Sequence, residues 1–463
     1  MSWVAQEFAQ VDLGDCRLND RLIKTGELLS RAPQASIPEV CQDLASTKGA
    51  YRLFSNKRVT SDAILSAHAD QTLARCAAER VVLCLGDTTD VNLSRDCPAD
   101  GVGAMSCASM SGFYAHVLLA VTPERRHLGV LQTQWVVRDR ATIGKRSAQR
   151  KKLPISEKES YRWVKDFDHI GGLAQQAACT RFVYIADRES DVYELLCAAR
   201  RSSVDLVIRC KNNRSLIDGS HVHEEISQAP IIGTVPVVIP RARQREERDA
   251  VLALRVKTVM LRPPFRKGEH HEPLTINVLE ATEINTKKGI EPVSWILYTF
   301  CPIDTIDQAL TILHWYICRW QIENYFRILK EGCGIELLRL DHLDRLKNAI
   351  ALYMVVAWRI MHLMTTARQY PNAPCIQIVE PREWTLAWIL WHKKPPPKKT
   401  PTNRDIVRLI AQLGGFLARK SDGEPGAKTI WRGLEKLRIM IDASHALQVV
   451  QSKRRRGKDV GNE

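Results

Sequence analysis

No stretch of this 463-residue sequence reaches about 18 consecutive apolar residues, so nothing in it reads as a membrane-spanning run. The opening segment, MSWVAQEFAQVDLGD, has an early glutamate and aspartates and no apolar core, which argues against a secretory signal. There are thirteen cysteines but no CxxC pair, no regular spacing and an odd count. They read as small buried hydrophobes, not as a disulfide frame or a zinc site. No nucleotide-binding loop and no internal repeat occurs. GEHHEP, around His270 and His271, has metal-binding residue types, but it reads better as a polar hairpin tip. What remains is a cytoplasmic chain long enough for a large core and two or three domains.

What is abundant is positive charge. Lysine and arginine number 67 against 52 acidic residues, a net charge of +15. Four clusters carry much of the excess: GKRSAQRKK (144–152), RARQREER (241–248), KKPPPKK (393–399) and KRRRGK (453–458). Each alone fits a solvated surface. Together they favour a polyanionic partner, with nucleic acid ahead of an anionic membrane. Charge does not separate a nuclease from a passive binder.

Residues 1–70 have helical periodicity in DCRLNDRLIKTGELLSRA and CQDLASTKGAYRLFSN, with Arg21, Lys48 and Arg52 as candidate DNA contacts. A packing domain with incidental arginines explains them equally well. At residue 81 the texture changes. VVLCLGDTTD is an apolar run ending at Asp87, followed by strands at 112–122 and 127–138, a helix around 160–177, and RFVYIADRESD, a second apolar strand ending at Asp187. A short helix and a strand at 204–210 complete the order β-β-β-α-β-α-β, a mixed sheet with helices on its faces. Hairpin-like β segments fill 215–300, and helical segments then run to about 370. PNAPC (371–375) and WHKKPPPKKTPTN read as linker. DIVRLIAQLGGFLARK and TIWRGLEKLRIMID form two amphipathic helices around a Gly-Gly turn, before a tail, SKRRRGKDVGNE, expected to be disordered.

The stretch YICRWQIENYFRILKEG places Tyr316, Arg319, Glu323 and Lys330 at spacings of three, four and seven. At about 100° per residue, these four fall within an arc of roughly 60°. Ile317, Ile322, Tyr325, Ile328 and Leu329 spread over the other side, as in an amphipathic helix. A solvated face with an Arg–Glu pair is the plain explanation. Similarly, Asp87 alone could cap a turn and Asp187 could cap a helix. Yet strand C-terminal ends meet at the edge where sites in open α/β folds form. Three carboxylates gathered there would repel one another unless a cation sat among them, and Mg²⁺ suits such oxygen donors.

These residues carry a resemblance. Tyr316-x2-Arg319-x3-Glu323-x6-Lys330 resembles the Tyr-Arg-Glu-Lys signature of bacterial insertion-sequence transposases of the DDE type, in the transposon-five branch. DTT at Asp87, DRESD at Asp187, LGDCRLNDRL, GAYRLF and LGGFLARK match in order along most of the chain. One departure is Tyr193, where the relative has a histidine.

The resemblance implies an α/β, ribonuclease-H-like core with a β-rich insertion, flanked by helical N-terminal and C-terminal domains. The expected division is 1–70 for binding DNA ends, 71–370 for the catalytic core with its insertion at about 215–300, and 371–463 for dimerisation and a disordered basic tail. It implies that Asp87, Asp187 and Glu323 hold two Mg²⁺ ions, or Mn²⁺ in their place. Tyr316, Arg319 and Lys330 would grip DNA phosphates, with Arg188, Arg209 and Lys211 along the same path. Trp295 would stack on a base swung out of the duplex, although a core aromatic is its plain explanation. The implied activity is cut-and-paste transposition by a homodimer that binds terminal inverted repeats and target DNA in a bacterial cytoplasm, at the nucleoid. Nicking, hairpin formation, hairpin opening and strand transfer would follow in turn. A catalytically silent DNA-binding inhibitor and a structure-specific metal-dependent nuclease are the alternatives.

Overall fold

The computed structural model describes residues 2–94, 98–107, 109–139, 154–239, 248–265, 270–286 and 289–459, without the side chains of 449 and 451–459. Basic clusters 144–152 and 241–247 lie outside the described residues, as do the side chains of 453–458.

The chain begins with helices α1 (Trp3–Glu7), α2 (Cys16–Arg31), α3 (Ile37–Cys41), α4 (Leu44–Ser55) and α5 (Ser61–Ala77). Ser2, Asp15, Ser36, Asp43 and Thr60 start them, each side chain accepting a backbone N–H of the first turn. Then come β1 (Val81–Asn92), β2 (Gly103–Ala104), β3 (Ser111–Val121) and β4 (His127–Val136). They are followed by α6 (Tyr161–Gln176), β5 (Arg181–Ala186), α7 (Tyr193–Arg200) and β6 (Asp205–Arg209). The insertion supplies α8 (Val222–Ser227), β7 (Ile231–Ile239), β8 (Arg248–Leu261), β9 (Leu274–Ile284) and β10 (Ser294–Thr299).

The strands form one sheet in the order β2-β3-β1-β5-β6-β10-β9-β8-β7, with β4 pairing β3 along the same edge as β2, opposite β1. β5 runs parallel to β1 and to β6, whereas β3 and β10 run antiparallel to their neighbours. The run β4-β3-β1-β5-β6 is the ribonuclease-H-like order. The insertion continues this sheet through β10 rather than standing apart from it.

Central strands need apolar side chains on both faces, and β1 has them. Leu83 and Leu85 join one core, with the later helices, while Val82 and Cys84 join a second core with Trp163, Phe167 and Tyr184. All four are fully buried, each contributing roughly 1–3 kcal/mol. This is why the sequence reads as an unbroken apolar run instead of an alternation. The strand does not stop at Asp87, as its apolar run suggested. It pairs with β3 as far as Asn92 opposite Gly112, because backbone pairing needs no apolar side chains.

After the sheet come α9 (Ile306–Cys318), α10 (Trp320–Arg327), α11 (Leu343–Gln369), α12 (Pro381–His392), α13 (Asn403–Leu413) and α14 (Ala427–Asp459). α11 is the one helix, among the described residues, long and apolar enough to cross a membrane, and 89% of its most apolar window is buried inside the protein. It is a core helix, apolar all round because neighbours cover it all round.

Three expectations change here. The supposed linker segments meet each other: Cys375 N–H donates to Pro401 at 3.0 Å and Asn403 N–H to Ala373 at 2.8 Å. They bracket α12, which the sequence reading missed although Glu380 and Glu383 form a capping box at its start. The expected disordered tail continues α14 through Asp459, as its lysines and arginines are good helix formers near a helix C-terminus. α13 and α14 cross with backbones nearly touching. A Cβ on Gly414 would sit 1.9 Å from the Thr429 carbonyl oxygen, and one on Gly433 1.8 Å from that of Ile410.

Candidate active site

The pairing of β1 with β5 ends at Gly86 opposite Ala186, so the next residues, Asp87 and Asp187, leave adjacent parallel strands side by side. Asp187 also caps the short 3₁₀ turn Arg188–Ser190, its carboxylate accepting the Glu189 N–H at 2.8 Å. Capping by Asp187 therefore does not exclude a site role. On the opposite face of β1, Thr88 Oγ1 lies 2.7 Å from His116 Nδ1, and His116 Nε2 lies 2.9 Å from the buried Asp166. This polar cluster, with Gln134 donating to Asp166 at 2.7 Å, ties β1 to α6 beneath Asp87.

The third carboxylate comes from the opening of α10. The uniform helix assumed for residues 316–330 is in fact broken. Arg319 lies between α9 and α10, with tightened bonds from Arg319 N–H to Tyr316 (3.0 Å) and from Ile322 N–H to Arg319 (3.1 Å). Beyond α10 a π turn, Ile328–Gly332, widens the helix and ends with Cys333 N–H on Ile328 at 2.9 Å. Such irregular turns recur where a helix must aim side chains at a site.

Arg319 is aimed inward. Its Nη1 donates to Asp87 Oδ2 at 3.0 Å and its Nη2 to Glu323 Oε1 at 2.5 Å. One guanidinium thus joins the β1 carboxylate to the α10 carboxylate. Burial pushes the Asp87 carboxyl up to about 6, with Arg319 pulling it down and Asp187 and Glu323 pushing further up. Burial opposes the Arg319 charge as well, but Tyr316, Asp87 and Glu323 hold its pKa above the ordinary value. Among the described residues no three His, Cys, Asp or Glu side chains already form a ready cage for an ion. The donor set at this edge is nevertheless three carboxylates, without sulfur or imidazole, and the position between two of them already holds a cation. That chemistry fits a hard divalent ion.

Tyr316 is buried, 5% exposed, and its hydroxyl pKa is raised by burial, with Arg319 and Arg209 acting in the other direction. Trp295 is half-buried and meets the Tyr316 ring edge-on at 5.7 Å between centroids, packing also, like Val237, against the Ile239–Ala250–Val293 cluster. It is both a core aromatic and a neighbour of the site. Lys330, in the π turn, reaches Asp90 at 2.6 Å and Glu336 at 3.6 Å. Glu336 in turn accepts the Asn92 N–H at 2.9 Å. Arg188 and Lys211 are exposed at the ends of β5 and β6, and Arg209 donates to the Ser294 carbonyl at 3.1 Å. So the carboxylates, Tyr316, Arg319 and Arg209 converge, while Lys330 stands further along β1. The sequence reading missed Asp90 and Glu336 as partners of Lys330. The second aspartate of GDTTD was the available signal for one of them.

A second group assembles at the N-terminal helices. Arg17 and Arg21 on α2, with Lys48 and Arg52 on α4, line a groove of about 690 Å³ together with Leu18, Leu44 and Leu53, of which Leu53 is buried and Leu44 exposed. All three expected contacts, Arg21, Lys48 and Arg52, are here. Arg17 is an addition that its position four residues before Arg21 could have revealed. The guanidinium of Arg21 lies over Gly49, where a Cβ would come within 1.7 Å of its Nη1. His271, in the GEHHEP segment, lies 3.9 Å from Glu194 in a separate corner.

Comparison with known families covers three stretches of the chain. Residues 1–59 match the family described as transposase DNA-binding, 164–359 match the transposase DDE domain, and 355–452 match the transposase Tn5 dimerisation domain. The first range holds the N-terminal groove. The second holds Asp187 and Glu323, with Asp87 upstream of it. Among solved structures, the chain is similar to the piggyBac transposase synaptic complex with hairpin DNA. The two are 9% identical, with 79% of this chain and 72% of that one covered and a TM-score of 0.36.

Proposed function

Since this chain belongs to the DDE transposases of Tn5-like type, with a transposase DNA-binding domain and a dimerisation domain, we propose that it performs cut-and-paste transposition with Asp87, Asp187 and Glu323 as its catalytic set. The observation that carries the assignment is the joining of Asp87 and Glu323 through Arg319, beside the register that brings Asp87 and Asp187 together. Families of this kind use divalent metal ions. Here Asp87, Asp187 and Glu323 would hold Mg²⁺ or Mn²⁺, which would supply Lewis-acid activation and charge neutralisation at the phosphate.

The protein's own groups do the rest. The terminal-repeat duplex would bind through the α2–α4 groove, where Arg17, Arg21, Lys48 and Arg52 offer phosphate contacts. At the sheet edge a DNA phosphate would compete with Asp87 and Glu323 for Arg319, and with Asp90 for Lys330. Both cations are suited to phosphate, one by its fork and the other as a point charge. With Arg319 turned to phosphate, the carboxylates are free to take a metal. Arg188, Arg209 and Lys211 would continue the DNA path beyond the ends of β5 and β6. Trp295 would have to leave the Tyr316 ring to stack on an unpaired base.

One site used repeatedly would serve the steps that the family resemblance implies. Water would release a 3′-hydroxyl, which would attack the opposite strand to give a hairpin. A second water would open it, and the final 3′-hydroxyl would attack target DNA. A homodimer would hold the two ends together.

The test is a linear duplex carrying the DNA that flanks this gene, incubated with protein in Mg²⁺, in EDTA and with Glu323→Ala, then read on a denaturing gel. Metal-dependent nicks, hairpins and joined products that vanish with Glu323→Ala are the expected result. Nicks without joined products would indicate a nuclease. Binding without any cleavage would indicate a silent inhibitor and remove the catalytic assignment.

A further inference from the structure

Resting on the reading of Asp187 as a catalytic carboxylate, we propose that Asp191 and Arg214 are positioning residues. They form one buried staple that fixes the loop after β6, and Lys211 on it, against the turn that carries Asp187.

The geometry is dense. Asp191 follows the 3₁₀ turn Arg188–Ser190, and its carboxylate is fully buried. Oδ2 accepts two consecutive backbone N–H groups, from Lys211 at 2.9 Å and Asn212 at 3.0 Å. Oδ1 accepts Arg214 Nε at 2.9 Å and Nη2 at 2.5 Å, and the Asp191 carbonyl accepts Nη2 at 2.9 Å. The Arg214 guanidinium lies over the Tyr193 ring at 5.7 Å, and the Tyr193 hydroxyl donates to the Glu272 carbonyl at 2.8 Å. One carboxylate therefore links the connection after β5 to the connection after β6, with a third contact reaching the segment before β9. Tyr193, the departure from the relative's histidine, forms the floor of this staple.

Stability alone is a poor reason to bury such a pair. Removing two charges from water takes back most of their attraction, and two apolar side chains could fill the volume as well. Apolar side chains, however, lack direction. A carboxylate that receives two successive N–H groups and an arginine fork sets the backbone at Lys211 in one orientation. β5 and β6 are parallel neighbours, so their C-terminal connections would otherwise be independent loops beside the same edge. Because the Asp191 charge is committed to Arg214 and to backbone, it does not compete with phosphate for the exposed Lys211 and Arg188.

The experiment is a double-mutant cycle on DNA affinity, run in EDTA with the gene-flanking duplex so that no cleavage intervenes. In the wild-type background, Lys211→Ala should weaken binding about tenfold and lower the salt slope by about 1. In Asp191→Ala it should change neither. Since Asp191→Ala leaves Arg214 buried without its partner and can fail to fold, the cycle is repeated in Asp191→Leu/Arg214→Met, which removes both charges. That protein should melt near the wild-type temperature yet show no Lys211 effect, and in Mg²⁺ it should nick at least about tenfold more slowly. A full Lys211 effect in this background, or a Lys211→Ala change without effect in the wild type, would overturn the proposal. If the wild type binds but never nicks, the catalytic reading fails by itself. The affinity cycle still decides the staple, because it does not depend on turnover.

Discussion

In the groove between α2 and α4, Arg17, Arg21, Lys48 and Arg52 stand exposed, and none of them enters an ion pair among the described residues. At the sheet edge the opposite holds. Arg319 is shared by Asp87 and Glu323, and Lys330 by Asp90 and Glu336. The groove is a surface ready for phosphate, whose affinity follows from charge presented to solvent. The edge is a closed circuit, where an incoming phosphate or metal ion would have to replace a protein partner. On the proposed reading, the first region would bind by addition and the second by exchange.

The sharpest way to break this contrast is Arg319→Ala. If Arg319 is both the phosphate clamp and the occupant of the carboxylate set, nicking should fall by about a hundredfold or more. Mn²⁺ binding to the DNA-free protein, followed by electron paramagnetic resonance, should at the same time tighten. Weaker Mn²⁺ binding in this variant would mean that Arg319 organises the carboxylates instead of competing for them.

A smaller effect concerns stability. The Asp87 carboxyl has its pKa raised from 3.8 to about 6, chiefly by burial. The folded protein therefore holds this proton more tightly than the unfolded chain does. Near or below pH 3.8 Asp87 costs the fold little, the cost grows as pH rises through 6, and it is complete above that. Asp87→Asn should accordingly be more stable than the wild type at pH 7, by on the order of 2–3 kcal/mol, with the gap closing toward pH 4. Urea melts at the two pH values check it. Equal stability at pH 7 would show that Arg319 fully compensates the burial.

The smallest effects belong to the groove. Arg21→Ala, Lys48→Ala and Arg52→Ala should each weaken end binding by about five- to tenfold and lower the salt slope by about 1, leaving the melting temperature unchanged. A large stability loss in any of them would turn that cation from a contact into a packing residue.

The elements that were legible in the sequence are those whose cause is local. VVLCLG and RFVYIA are apolar on both faces because β1 and β5 are buried on both faces, so their positions, and the aspartates following them, could be read directly. The helical stripe from Tyr316 to Lys330 was legible as a pattern but not as a shape. An even 100° step does not reveal the tightened turn at Arg319 or the π turn at Ile328–Gly332. α12 was hidden by the prolines and lysines on either side of it. The Asp191–Arg214 staple was hidden because its members are far apart in sequence and each looks like ordinary loop polarity.

The sequence by itself determined most of the strands and helices, with α12, the tail and the breaks around Arg319 and Ile328 excepted, and which carboxylates and cations stand at element ends. Those follow from burial periodicity and residue type, which act over a few positions. Only the tertiary structure decided which opposite charges meet. Arg319 reaches Asp87 across more than two hundred residues, and Lys330 reaches Asp90 across a similar span. Such pairing depends on distances of a few ångströms between elements whose packing is set by the whole core, and no local spacing encodes it.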